Sequence, residues 1–217
     1  VFGLAEGRVR IGNCRSNKAA TLYSTESYVT SLSPSPDGSA IISGHNDGSI
    51  YCFCFQDGQY GPAGQNKLCT HPVPPYALAW GEAICAAGND CKVSFYDKDG
   101  THIQNFDHSG QPHSKEFTVA AFNPSGESVV LGSFNRFFIY NLNRGMWEEV
   151  GQKVIENFYS VTSLSWKQDG SRLAVGNLTG AIECYDACIR RYRYQGKFEF
   201  TYVSTSQVIV KRLATGQ

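Results

Sequence analysis

Residues 41–53 read IISGHNDGSIYCF, an apolar run closing on Gly44, a polar turn, and a second apolar run rich in aromatic residues. Four other stretches have the same shape: FGLAEGRVRI (2–11), CAAGNDCKVSFYD (85–97), VLGSFNRFFIYN (130–141) and AVGNLTGAIECYD (174–186). Their glycines, Gly3, Gly44, Gly88, Gly132 and Gly176, lie 41, 44, 44 and 44 residues apart. A period of about 44 residues built from short strands predicts β-propeller blades, one four-stranded sheet per repeat. A β-sandwich with incidental spacing is the rival reading, and one interval recurring three times in succession argues against it.

Each full unit adds detail. A first strand alternates small and bulky residues, as in Val29-Thr30-Ser31-Leu32 and Val161-Thr162-Ser163-Leu164, which puts every second side chain on a buried face. A tight turn follows, and its Gly38, Gly126 and Gly170 supply the positive φ that a hairpin needs. The third unit has Gly81-Glu82 there and a shorter hairpin. Four full units emerge, with blade ends expected near residues 14, 55, 100, 143 and 188. Polar stretches between them (56–75, 101–116 and 144–159) read as linkers. Residues 56–65, rich in Gly and Gln, are expected to be mobile, and 145–154 could hold a short helical turn. Residues 189–217 read as a basic linker and the first strands of a following blade or second propeller. The fold class is therefore all-β: a partial β-propeller with about four complete four-stranded blades and parts of two more.

Composition narrows the function. The 217 residues carry 19 basic and 19 acidic side chains, so no basic surplus marks a general binder of nucleic acid or anionic membrane. No apolar run approaches the ~18 residues of a membrane helix. The chain opens on Val1-Phe2-Gly3, inside a repeat, and is expected to be a piece of a longer polypeptide. Its eight cysteines show no C-x-x-C and read mainly as small strand hydrophobes in a reducing compartment. Cys52 and Cys54, two apart on a strand, share one face.

No nucleotide-binding, nucleophile-elbow or zincin motif occurs, so no catalytic, cofactor or metal residues are assigned. His102, His108 and His113, with Asp107 among them, were weighed as metal ligands, but zinc sites use tighter, defined intervals. Asp37, Asp47, Asp90, Asp97, Asp169 and Asp186 sit at turns, where they would accept backbone N–H groups. The one charge cluster is CIRRYRYQGK (188–197). There Arg190, Arg191, Arg193 and Lys197 surround Tyr192 and Tyr194 with no acid between them. Extended, this strip would send Arg191 and Arg193 to one side and the tyrosines to the other, a candidate contact for an acidic partner or membrane surface.

The turn-and-aromatic pattern resembles the WD40 repeat, with Tyr96-Asp97, Tyr140-Asn141 and Tyr185-Asp186 in place of its Trp-Asp. That family's Gly-His before the first strand is absent from every unit, and with it the basis for its Asp–His hydrogen-bond network. Longer stretches, among them HPVPPYALAW (71–80), WKQDGSRLAVG (166–176) and RYQGKFEFTYVSTSQVIVK (193–211), resemble the propeller region of the largest-subunit family of intraflagellar transport complex B. The resemblance implies a non-enzymatic interaction scaffold with complex B partners, working in cargo transport along cilia and turnaround at the ciliary tip. Location would be the cilium or flagellum, basal body and cytoplasm. A vesicle-coat or membrane-trafficking propeller is the alternative.

Overall fold

The computed structural model describes residues 1–55, 64–188, 190–204 and 206–213, so most of the stretch expected to be mobile (56–63) lies outside the described residues. Two compact units form, Val1–Ala120 and Ala121–Gln217.

The first unit opens with a three-stranded antiparallel sheet of β1 (Phe2–Gly3), β2 (Arg8–Asn13) and β3 (Lys18–Ser24). A four-stranded meander follows: β4 (Val29–Pro34), β5 (Ala40–His45), β6 (Ser49–Cys54) and β7 (Gln65–Thr70). A second has β8 (Ala77–Trp80), β9 (Ile84–Ala87), β10 (Lys92–Tyr96) and β11 (His102–Asp107). The sheets stack face to face. Val9, Leu22, Tyr23, Ile41 and Phe53 fill one seam, with Tyr23 and Phe53 stacked at 5.6 Å. Ile42, Ile50, Leu78, Ile84 and Tyr96 fill the next.

In the second unit β12 (Val119–Phe122), β13 (Ser128–Ser133), β14 (Arg136–Asn143) and β15 (Met146–Val154) make a four-stranded meander. Two three-stranded sheets follow: β16 (Val161–Trp166), β17 (Arg172–Asn177) and β18 (Ile182–Asp186), then β19 (Arg190–Tyr194), β20 (Phe198–Tyr202) and β21 (Val208–Arg212). Rings of Phe122 and Trp147 meet edge-on at 5.7 Å within the first, and Phe137 meets Tyr185 of the next at 5.2 Å.

The sequence period returns as hydrogen bonds across the seams. Ser31 Oγ donates to Pro75 O at 2.5 Å, 44 residues on. Trp80 N–H donates to Ser33 Oγ at 3.1 Å across 47 residues, and Trp166 Nε1–H to Ala121 O at 3.1 Å across 45.

Three expectations need correction. Blades were ended one strand too early: β7, β11 and β15 lie in stretches read as linkers, and β3 lies beyond the first expected blade end near residue 14. These outermost strands face water and carry polar residues such as QNKLCT and MWEEVGQKV, so they lack apolar alternation; their backbones are satisfied by the strand inside them. The stretch considered for a helical turn is the nine-residue β15, the longest strand. Lastly, Arg190–Tyr194 is no linker. It is β19, which pairs with β20 and leaves the β16–β18 sheet with three strands. Among the described residues three sheets have four strands and three have three.

Candidate interaction surfaces

The repeat glycines sit where the backbone is crowded by its neighbours. Their φ angles are not positive; what they lack is room. A Cβ on Gly44 would lie 2.5 Å from both the Pro75 ring and Ser31 Oγ. One on Gly3 would strike Val29, one on Gly88 the Pro74 carbonyl, and one on Gly176 the Ser163 hydroxyl. Gly132 sits in β13 opposite Phe137. A second, hidden repeat does use positive φ: Gly7, Gly48, Cys91, Asn135 and Gly180 end the turn between second and third strands at φ 77, 83, 59, 54 and 88. Cysteine and asparagine at two of the five places concealed it.

At four of these turns the carbonyl accepts the N–H of the residue just after the outermost strand: Thr25, His71, His108 and Ile155. Although Gly-His is missing, His71 and His108 stand at the blade entrance, and His71 meets a tyrosine there rather than the family's aspartate. His71 Nδ1 lies 2.9 Å from the Tyr96 hydroxyl, and its Nε2 is buried without a partner. Burial holds its pKa down at about 4, opposed by the nearby Asp90 charge. Where Thr25 replaces histidine, His45 serves instead. Its Nδ1 lies 2.8 Å from Ser27 O, which can only accept, so Nδ1 carries the proton and Nε2 accepts from Ser43 Oγ at 2.8 Å. Tyr23 donates to Ser43 at 2.7 Å and completes the chain. Burial lowers the His45 pKa, which suits this neutral tautomer.

In the second unit Asn177 takes the corresponding place. Its Nδ2 donates to Phe158 O at 2.6 Å, while Oδ1 accepts from Thr179 N and Ala181 N at 3.1 and 2.7 Å.

The aspartates behave as turn acceptors. Asp37, Asp47, Asp97 and Asp169 take backbone N–H groups from Ser39, Ser49, Thr101 and Ser171, and Asp90 takes that of Lys92. Asp186 differs, pairing with Arg172 at 3.4 Å. Of the three weighed histidines, His108 is buried beside Phe117 and bonds Gln111, whereas His102 stacks edge-on against Tyr96. Among the described residues no three His, Cys, Asp or Glu side chains gather as a metal site. All eight cysteines are free; Cys52 and Cys85 are buried, while Cys14, Cys54 and Cys184 are exposed.

A cavity of about 290 Å³ in the second unit is lined mainly by apolar side chains, including Val130, Ile139, Trp166 and Leu173. Its Ser128 and Asn141 bond to one another at 2.7 Å.

The basic strip forms the edge of the last sheet, with all five β19 residues exposed. Arg191 and Arg193 share a face with Thr201 and Glu199, and Tyr192 and Tyr194 share the other with Phe200 and Phe198, which is the expected alternation. An acid is present after all: Glu199, across the hairpin, binds Arg193 Nε at 3.0 Å. Lys197 closes the hairpin after Gln195 and Gly196, both at positive φ, and its carbonyl accepts from Leu213 N.

The WD domain, G-beta repeat profile matches residues 16–54, the stretch containing IISGHNDGSIYCF. Across its whole length the chain is 51% identical to intraflagellar transport protein 172 of Chlamydomonas reinhardtii and 52% identical to the human intraflagellar transport protein 172 homolog. It is 35% identical over 97% of its length to intraflagellar transport protein osm-1 of Caenorhabditis elegans. In each case it spans only 12% of the relative. A chain in the crystal structure of a mitotic checkpoint complex superposes with a TM-score of 0.62 at 17% identity, covering 96% of this chain and 72% of that one, which shows the fold alone. The fold class is thus an all-β, WD40-like β-propeller, in part.

Proposed function

We propose, from a homology that runs through every blade to the amino-terminal region of intraflagellar transport protein 172, that this chain is propeller scaffold in a subunit of an intraflagellar transport complex. It acts by holding partners and not by catalysis. The propeller stretch runs to residue 188, and residues 189–217 open a further blade. Its partners are other complex B subunits, its place is the cilium or flagellum with the basal body and cytoplasm, and its task is cargo transport and turnaround at the tip. The observation that carries this is the 51–52% identity across the whole chain, far more than a shared blade fold requires. Names of these relatives give no support to the vesicle-coat alternative.

Arg190, Arg191, Arg193 and Lys197 are the proposed contact for an acidic partner. Of these, Arg193 is already engaged by Glu199, which leaves Arg191 the freer cation on that face. Affinity capture of the full-length protein from ciliated cells, with Arg191→Glu/Arg193→Glu alongside, tests both statements. Complex B subunits are expected with the wild type and in reduced amount with the variant. Coat proteins in their place would overturn the scaffold assignment, and an unchanged yield would remove the strip.

A further inference from the structure

We infer that two neighbouring turns of the second unit, 124–126 between β12 and β13 and 168–170 between β16 and β17, form a seat for the β19–β21 sheet. Held there, that sheet moves as one body with β12–β15 and β16–β18 and is not a flexible tail. All of β19 and most of β21 face water. The end of β20 is the exception, where Val203 and Ser204 are 4% and 2% exposed. Val203 lies against residues far back in the chain. A Cβ built on Gly170 would rest 3.6 Å from both the Val203 side chain and the Pro124 ring. Val203 also lines the cavity of about 290 Å³ together with Trp166 and Leu173.

Both sides of the contact are fixed by their own hydrogen bonds. On the sheet's side Ser204 Oγ accepts the N–H groups of Ser206 and Gln207 at 3.2 and 3.1 Å, and Val203 N–H donates to Gln207 O at 3.1 Å. On the other side Gly126 and Gly170 close tight turns at φ 76 and 72. Glu127 is tied into its blade, its N–H donating to Ser125 Oγ and its carbonyl accepting Leu142 N–H at 2.8 Å. Ser206 Oγ then donates to Glu127 Oε2 at 2.9 Å across 79 residues. A carboxylate acceptor makes such a bond stronger than one between neutral groups.

Neighbouring modules of one chain move relative to each other by default unless a contact restrains them. Here the connection and the contact share one end of the sheet. Only residues 187–189 separate β18 from β19, and Arg190 pairs with Tyr202, the residue before Val203. A short connector, a buried valine and a charge-assisted hydrogen bond give three points of attachment, and three points define an orientation. The basic strip of β19 therefore rises from a fixed foot. The burial at Val203 is made within the chain itself, so it stands whatever covers the exposed faces. The inference goes beyond the scaffold reading, because it concerns how the strip is held and not what the strip binds.

The test uses the full-length protein and a carbodiimide, which joins a carboxylate directly to an amine in contact with it. Ser206→Lys places an amine beside Glu127, and mass spectrometry should find residues 127 and 206 joined. Adding Glu127→Gln should abolish the link. Adding Val203→Asn instead, which leaves a buried amide at the seat, should lower the yield at least tenfold. In Val203→Asn alone, β20 and β21 amides should exchange hydrogen at least tenfold faster while those of β13–β17 are unchanged. No link with Ser206→Lys, or an equal yield with Val203→Asn added, overturns the seat. Exchange rising equally in β13–β17 would make Val203 part of the blade core and would overturn the seat as well. Capture of complex B subunits is read separately, so the seat can fail while the scaffold reading stands, and the reverse.

Discussion

The two units fasten the same joint with different chemistry. In Val1–Ala120 the loop entering a blade is held by buried histidines, His45 and His71; in Ala121–Gln217 it is held by the amides of Asn135 and Asn177. All five histidines of the chain lie in the first unit. The contrast teaches that blade geometry does not prescribe its staples: the same loop is held by buried imidazoles in one unit and by amides in the other.

The largest effect that would test this is steric. Gly44→Val should cost about 3 kcal/mol, because the seam has no space for side-chain atoms there. Gly145→Ala, at a turn where a Cβ meets nothing within 4 Å, should cost only about 1 kcal/mol for its φ of 82. Urea midpoints of the two variants falling together would show that Gly44 is not a position of close approach.

Acid should separate the units next. The ordinary histidine pKa is 6.5, and the folded His71 sits at about 4. Below pH 6.5 the unfolded chain takes up a proton that the folded chain refuses. Stability is therefore full above pH 6.5 and drains away as pH falls toward 4, by up to about 3 kcal/mol. Hydrogen exchange at pH 7 and pH 5 should show β8–β10 losing protection while β13–β17 changes little. His71→Gln should flatten that dependence, and parallel loss in both units would break the contrast.

Asn177→Ala should cost about 2 kcal/mol at either pH, since it strips a buried carbonyl and two turn N–H groups of their partner. A pH-dependent loss on thermal melting would count against the amide staple. Smallest of all, Arg193→Ala should change stability by less than about 1 kcal/mol, as exposed ion pairs contribute little.

Much of the fold was legible because it is written in residues with one physical job. Gly44, Gly88 and Gly176 mark close approach, and Gly38, Gly126 and Gly170 mark hairpins at φ 72, 76 and 72. The outermost strands were not legible, because a water-facing edge such as HIQNFD needs no apolar alternation. Cys91 and Asn135 hid a repeated left-handed turn behind residues that do not announce it. In the candidate surface, alternation placed Arg191 and Arg193 correctly on a strand, but Glu199 escaped notice because a hairpin, not proximity in sequence, carries it to Arg193.

The most direct test of the scaffold account is a binding titration of the full-length protein against purified complex B subunits. One variant set would carry Arg191→Glu and Arg193→Glu, and the other Tyr28→Ser and Tyr76→Ser, two exposed tyrosines of the first unit. At least a tenfold loss of affinity confined to the first set is predicted; a loss confined to the second, or equal in both, would contradict it.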